Sequence, residues 1–131
     1  MVKPAAAAGQ YLQTQAQAST PLELVVMLYD GAIRFASAAK DAIERNDIPA
    51  RRIAMSRLLG IIAELQNTLD MERGGQIALD LDSLYSWMTT RLLDAAVAKD
   101  ARPIDEVRRA LEPLRDAWQT IAAAPPPGTR P

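Results

Sequence analysis

Cysteine and histidine are both absent from the 131-residue chain. The lack of cysteine excludes disulfides and thiolate nucleophiles, and the lack of histidine removes imidazole acid–base chemistry and the usual zinc ligand sets. A di-iron helical bundle, which needs Glu-x-x-His pairs, is excluded for the same reason. We therefore expect a protein that is not an enzyme.

The remaining chemistry also lacks the patterns of a catalytic or cofactor site. Asp80 and Asp82 stand two positions apart and diverge on a helix, and no calcium-binding loop surrounds them. The segment "ERGGQ" at 72–76 lacks the lysine and spacing of a phosphate loop. We predict no catalytic, metal-binding or cofactor-binding residues and no cofactor. A small hydrolase built on serine or tyrosine stays open as an alternative, which inhibitor labelling would reveal.

Excess charge of either sign and long apolar runs are missing as well. Lys and Arg total 15 against 16 for Asp and Glu, a net charge of -1, so no positive field exists to attract nucleic acid. No stretch of about 18 uninterrupted apolar residues occurs, and "MVKPAAAAGQ" has no signal-peptide core. We expect a soluble, cytoplasmic protein with no nucleic-acid partner and no membrane insertion.

The two ends of the chain differ from its middle in composition. Residues 1–19 are rich in Ala and Gln and are expected to be a flexible amino-terminal segment. Residues 123–131, "AAPPPGTRP", form a Pro-rich tail that is expected to be disordered. Residues 20–122 are long enough for one domain with a single core.

Helix start and stop signals divide the middle of the chain into four helices. Thr20 is a predicted N-cap, Pro21 takes the first helical position, and Glu23 has the capping-box spacing. Asp47 is a second predicted cap, and Gly74-Gly75 are expected to separate the second helix from the third. The predicted helices run from Pro21 to about Arg45, from Asp47 to about Asp70, from Gln76 to Ala98, and from about Pro103 to Ala122.

No segment alternates in the manner of a half-buried strand, and the links between the helices are short. Short links place consecutive helices side by side and antiparallel. The sequence therefore predicts an all-α fold, an antiparallel up-and-down four-helix bundle. Pro113 is expected to kink the last helix, because it cannot donate to the carbonyl of Arg109.

The first helix is apolar over an unusually wide arc. Residues placed ~100° apart around its axis give an apolar arc of roughly 200°, whereas an outer helix needs only ~100°. One interpretation is that this helix is the most central of the four. The other is that an apolar partner covers part of it. The second helix has a main face that includes Leu65 and is flanked by Leu59.

The third helix carries apolar residues on two opposite sides. Its core stripe is expected to include Ile77, Leu81, Tyr85, Met88 and Leu92. Leu79, Leu93 and Val97 project ~160° away from that stripe, and serine and threonine lie between them. Scattered exposed leucines are ordinary. However, a charge-free row on a chain that is 24% charged also fits a docking surface.

Several segments resemble the family of flagellar export chaperones called FliS. They are Tyr11 followed by "TPLEL" at 20–24, "MLYDGAIRF" at 27–35, "IIAELQNTLD" at 61–70, "GGQIALDLDSLYSWMTTRL" at 74–92 and "LRDAW" at 114–118. Their order and spacing cover nearly the whole chain between its two ends. Ahead of Pro21 the chain departs from the family's usual Val-x-Thr-Ala-Ser pattern, and Pro113 interrupts a helix that is normally continuous.

The resemblance implies a cytoplasmic chaperone that binds the carboxy-terminal region of flagellin, keeps flagellin unpolymerised and delivers it to the flagellar type III export apparatus. It also implies that the segment around Tyr11 covers the cargo groove until flagellin binds. A monomer that binds one cargo chain is expected, and a self-associating helical adaptor without flagellin is the alternative. The predicted flagellin contacts are Tyr11, Leu12, Leu59, Leu65, Leu79, Leu93 and Val97.

Overall fold

The computed structural model describes residues 20–124, which fold into helices with short connections. No strand occurs within that range, so the predicted all-α class is confirmed. The helices are α1 (Pro21–Glu44), α2 (Ile48–Asn67), α3 (Met71–Ala98) and α4 (Arg102–Ala123).

The helices form a ring in which each contacts two others. Helix α1 packs closely against α2 and α4, and α3 contacts the same two helices at fewer positions. The diagonal pairs, α1 with α3 and α2 with α4, have no close backbone approach in the described part of the chain. Consecutive helices joined by three-residue links must run antiparallel, so the predicted up-and-down bundle is confirmed.

Local capping chemistry sets the helix starts. The hydroxyl of Thr20 accepts a hydrogen bond from the Glu23 amide at 3.2 Å, and the Asp47 carboxylate accepts one from the Ala50 amide at 3.0 Å. Each bond satisfies an amide that has no partner inside its own helix. Both predicted caps are therefore confirmed.

The boundary between α2 and α3 differs from the sequence prediction. Helix α2 ends at Asn67, and Asp70 is the N-cap of α3, where its carboxylate accepts a hydrogen bond from the Arg73 amide at 3.1 Å. The predicted break at Gly74-Gly75 is present, but a short turn that begins at Met71 precedes it, so the break does not coincide with the end of α2. Gly75 lies inside α3, where its φ of 53° and ψ of -130° bend the backbone between a first short turn and the long remainder of the helix.

The core contains a run of small side chains on α1 that pack against larger ones from the other helices. Four alanines on α1, at positions 32, 36, 39 and 42, are almost completely buried; we call them the alanine seam. Their size lets neighbouring helices approach α1 closely. Around them pack Leu58, Ile62 and Leu65 of α2, Met88 and Leu92 of α3, and Ile104, Val107 and Leu111 of α4.

Two buried tyrosines connect the diagonal helices. The hydroxyls of Tyr29 on α1 and Tyr85 on α3 share a hydrogen bond in the core, and Trp118 of α4 also hydrogen-bonds Tyr29. A buried hydroxyl is costly without a partner. The pair therefore fixes α3 relative to α1 through side chains alone.

The sequence predicted that Ile77 belongs to the core stripe of α3, but in the structure it does not. The Gln66 amide near the end of α2 donates hydrogen bonds to Asp82 and Ser86 of α3. Ile77 precedes Asp82 by one and a half turns, about 7 Å, so it lies past the end of α2. It is 71% exposed, and Ala78 takes the buried position instead.

Salt bridges add specificity at the rim of the bundle. Asp30 on α1 pairs with Arg115 on α4 at 2.7 Å, and Arg91 on α3 pairs with Glu106 on α4 at 2.8 Å. Exposed pairs of this kind contribute little to stability.

Helix α4 continues through Pro113 as one helix. None of the four helices is long and apolar enough to cross a membrane.

Candidate functional site

The outer side of α3 carries a continuous uncharged surface. We call it the outer row; it consists of Leu79, Ser83, Ser86, Thr90, Leu93 and Val97. Leu79 and Leu93 are each 51% exposed, and Val97 is 86% exposed. With a rise of 1.5 Å per residue, the row extends about 27 Å along the helix. The bundle itself leaves these three apolar side chains in water.

The hydroxyl groups of Ser86 and Thr90 in the outer row are engaged within the protein. Thr90 donates to the Ser86 carbonyl at 3.1 Å, and the Ser86 hydroxyl hydrogen-bonds the Gln66 side-chain amide at 2.9 Å. A hydroxyl that already has a protein partner loses less when water leaves the surface. The row is therefore easier to dehydrate than its serine and threonine content suggests.

The charges beside the outer row are neutralised by pairing. Arg91 forms a salt bridge with Glu106 of α4 and with Asp94 on its own helix. The hydrogen bond that Arg91 donates to Glu106 is the main reason why the pKa of Arg91 is raised, with Asp94 adding to it. The Arg91 guanidinium stays charged but is already paired with two carboxylates. The charges next to the outer row on its α4 side are therefore neutralised.

The predicted contacts on α2 have different surroundings. Leu65 is 2% exposed and belongs to the core, so its assignment to a binding surface is corrected: it faces α1 along the main apolar side of α2. Leu59 is half-buried against the core and keeps a partly accessible side chain. Tyr11 and Leu12 lie outside the described residues.

Further apolar residues are exposed where the sequence did not indicate them. Ile77 is 71% exposed at the start of α3, on the side away from the outer row, and Trp87 is 40% exposed farther along the helix. Leu22, Met71 and Ile121 are also exposed at the end of the bundle where α1 begins. The pair Gly74-Gly75 was the one sequence feature that indicated a change of backbone direction at this end of the bundle, and it predicted a helix boundary.

The titratable groups inside the bundle are arranged for packing. Burial raises the pKa of Tyr29 and of Tyr85, so both phenols stay protonated at neutral pH and their oxygens serve as hydrogen-bond partners. Among residues 20–124 no three acidic, cysteine or histidine side chains come together in a way that would hold a metal ion.

Comparison with known proteins assigns the chain to a family. The family model described as "Flagellar protein FliS" matches residues 4–125, which include all four helices. The chain belongs to the FliS family. The family resemblance recognised in the sequence motifs is thereby confirmed.

Individual FliS relatives align over most of this chain. The flagellar secretion chaperone FliSB of Pseudomonas aeruginosa is 34% identical over 111 residues, 85% of this chain and 88% of the relative. The flagellar secretion chaperone FliS of Salmonella typhimurium is 36% identical over 112 residues, 85% of this chain and 83% of the relative. FliS of Campylobacter jejuni is 38% identical over 111 residues, with 85% and 87% covered.

Proposed function

We propose that this protein is a cytoplasmic secretion chaperone that binds the carboxy-terminal region of flagellin, holds it unpolymerised and delivers it for flagellar export. Membership in the FliS family and the names of the relatives support the export role. The observation that carries the binding site is the outer row, whose three apolar side chains have no cover within the bundle.

The recognition we propose is hydrophobic and needs no catalysis. Amphipathic helices of flagellin would place their apolar sides against α3, with contacts at Leu79, Leu93 and Val97 and with Leu59 on the flank. Burial of ~1,000 Å² of apolar surface at ~25 cal/mol per Å² gives a gross gain of about 25 kcal/mol. Most of that gain offsets the ordering of the cargo and the loss of free motion, which leaves micromolar to nanomolar affinity.

The exposed start of α3 extends the proposed cargo surface. Ile77 lies on the side of α3 that faces the core farther along the helix, yet nothing in the described chain covers it. We propose that Tyr11 and Leu12 cover part of the cargo surface until flagellin displaces them. Removal of residues 1–19 should then lower the dissociation constant for flagellin, as measured by calorimetry.

The central test is binding of a flagellin carboxy-terminal fragment to the purified chain. Leu93→Asp and Val97→Asp place a charge in the outer row and should weaken binding at least tenfold. Ile48→Asp is the matched control, because Ile48 is exposed to a similar degree at the start of α2. Failure of the wild-type chain to bind flagellin would reject the chaperone proposal. Equal binding by all three variants would reject only the outer row as its site.

Sedimentation distinguishes cargo binding from self-association. We propose that the protein is a monomer that binds one flagellin chain, so it should sediment as one subunit alone and as a one-to-one complex with the fragment. A dimer that dissociates on Leu93→Asp would instead assign the outer row to a contact between two copies.

A further inference from the structure

Helix α2 is the basic helix of the bundle. It contains Arg51, Arg52 and Arg57 against a single acid, Glu64. Helices α1 and α3 each have more acidic than basic residues, and α4 has equal numbers. The positive charge of this nearly neutral chain is therefore concentrated on one side.

The arginines near α2 differ from most other cations in having no acidic partner. Within residues 20–124, Arg34, Arg51, Arg52, Arg57 and Lys99 are the basic residues that form no salt bridge. Arg45, Arg91, Arg108 and Arg115 each pair with at least one carboxylate. The bundle neutralises its cations elsewhere but leaves these free.

Two of these arginines, from different helices, are held at the same aromatic ring. The guanidinium carbon of Arg34 lies 6.0 Å from the centroid of the Phe35 ring, and that of Arg57 lies 5.7 Å from it. Attraction to the ring restrains both groups. Two like charges that share one ring without a counter-ion repel each other, and a bound anion would relieve that repulsion.

An exposed isoleucine lies beside Arg57, one of the two arginines. Ile53 and Arg57 are four residues apart, so they are neighbours on the same face of α2. Ile53 is about half exposed, and Phe35 is partly accessible in the groove between α1 and α2. The surface thus combines two fixed guanidinium groups with an apolar contact. We call Arg34, Phe35, Ile53 and Arg57 the arginine surface.

We propose that the arginine surface binds an acidic segment of a partner protein, at a site separate from the outer row. Carboxylates are the planar acceptors that guanidinium groups pair with best. Two guanidinium groups at one ring, with Ile53 one turn from Arg57, offer paired contacts for carboxylates next to an apolar contact, which suits an acidic segment that also carries an apolar residue. Arg57 lies nine residues, ~180° around α2, from Gln66, which bonds α3, so the site leaves the outer row free, and the proposal does not depend on flagellin binding.

The charge distribution favours a polypeptide over other anionic partners. A nucleic acid would need an extended basic stripe, whereas acidic residues exceed basic ones on the neighbouring α1 and on α3. A membrane surface would need a broad apolar face next to the basic residues, and the large apolar residues that α2 exposes are only Ile48 and Ile53. A short acidic segment fits the small area available.

The test uses a fluorescent 16-residue helical peptide with Glu pairs one turn apart and Leu between them. A peptide with Gln in place of every Glu is the control ligand. Anisotropy at low salt should show binding of the acidic peptide only. Arg34→Gln/Arg57→Gln should raise its dissociation constant at least tenfold. Arg73→Gln/Arg109→Gln removes the same charge from two highly exposed arginines elsewhere and should change it less than twofold.

Several results would overturn the proposal. They are no binding of the acidic peptide, equal binding of the Gln peptide, or equal losses in the two double variants. Tighter Arg34- and Arg57-dependent binding of oligothymidylate or of phosphatidylglycerol vesicles would assign the surface to a different partner class. Loss of flagellin-fragment binding in Arg34→Gln/Arg57→Gln would make it part of the cargo site. Circular dichroism confirms folding, and Arg34→Lys/Arg57→Lys, which keeps charge without the planar group, should bind with intermediate affinity.

Discussion

The hydrogen bond between Tyr29 and Tyr85 is the most specific side-chain contact of the core. If the Trp118 indole donates to the Tyr29 oxygen, the Tyr29 hydroxyl is left to donate to Tyr85, and the three residues form a short chain across the bundle. Aliphatic residues at these positions would pack as well but would not fix which part of α3 faces which part of α1.

Replacement of either tyrosine by phenylalanine should destabilise the fold. An unpaired buried hydroxyl costs about 1–3 kcal/mol. Tyr29→Phe should cost more than Tyr85→Phe, because it leaves both Tyr85 and Trp118 without their partner. The free energies of unfolding come from urea denaturation. The double variant should lose less than the two single losses combined, and simple additivity would show that the tyrosines do not act together.

Stability should fall in alkaline solution because of the same pair. Burial raises the pKa of Tyr29 and of Tyr85 above the ordinary value of about 10. Above that pH the unfolded chain loses the two protons and the folded chain keeps them, so each tyrosine lowers the free energy of unfolding by about 1.4 kcal/mol per pH unit. Their contribution is complete below pH ~10 and is lost as the pH rises further.

Urea denaturation between pH 8 and pH 11 measures this dependence. The Tyr29→Phe/Tyr85→Phe variant should show a flatter decline above pH ~10 than the wild-type chain. Identical slopes in the two proteins would mean that the phenols ionise as readily in the folded state as in the unfolded one.

At the scale of single elements, the bend in α3 determines which residues reach the surface. Gly75 has φ 53° and ψ -130°, a combination that only glycine adopts without strain. The first turn of α3, capped by Asp70, therefore points in a different direction from the rest. The long part of the helix then begins past the end of α2, which leaves Ile77 exposed.

Gly75→Ala should destabilise the protein by about 1–3 kcal/mol, the cost of a side chain in a disfavoured backbone region. There is open space around the position, so the loss would report backbone strain rather than a clash. Ser83→Ala on the exposed side of α3 is the control and should stay within about 0.5 kcal/mol of the wild type. A neutral Gly75→Ala in thermal unfolding would mean that the bend relaxes into a continuous helix.

Helix existence and helix starts could be predicted because their causes are local. Thr20 and Asp47 mark the starts of their helices, because each accepts a capping hydrogen bond from an amide three residues later. Asp70 is a capping residue of the same kind, but the sequence analysis predicted the end of the second helix there. The exposure of Leu79, Leu93 and Val97 followed from helical spacing, whereas Ile77 depends on where α2 ends. The pairing of Arg34 and Arg57 at one ring needs two helices in register, which no local pattern provides.

In the whole molecule, α3 is held less firmly than α1. Helix α1 packs closely on both neighbours, and α3 contacts the same neighbours at fewer positions. A helix with fewer contacts loses less when it separates from the bundle. Local opening should therefore begin at α3, which also carries the outer row.

Native-state hydrogen exchange should detect this difference. Amides in the middle of α3, such as that of Leu92, should exchange faster than amides in the middle of α1, such as that of Ala36, although both side chains are buried. A saturating flagellin fragment should slow exchange in α3 more than in α1, because binding stabilises only the closed form. Equal protection of the two helices in the free protein would contradict the looser attachment of α3.

The alanine seam has a consequence for the opposite side of the molecule. Methyl groups at positions 32, 36, 39 and 42 determine the distances between the packed helices, since nothing larger fits where they lie. A bulkier residue there would push α2 or α4 outward, and α3, which rests on both, would shift with them. The curvature of the surface that binds another chain therefore depends on the four small alanine side chains of α1. The bound chain need not touch that helix.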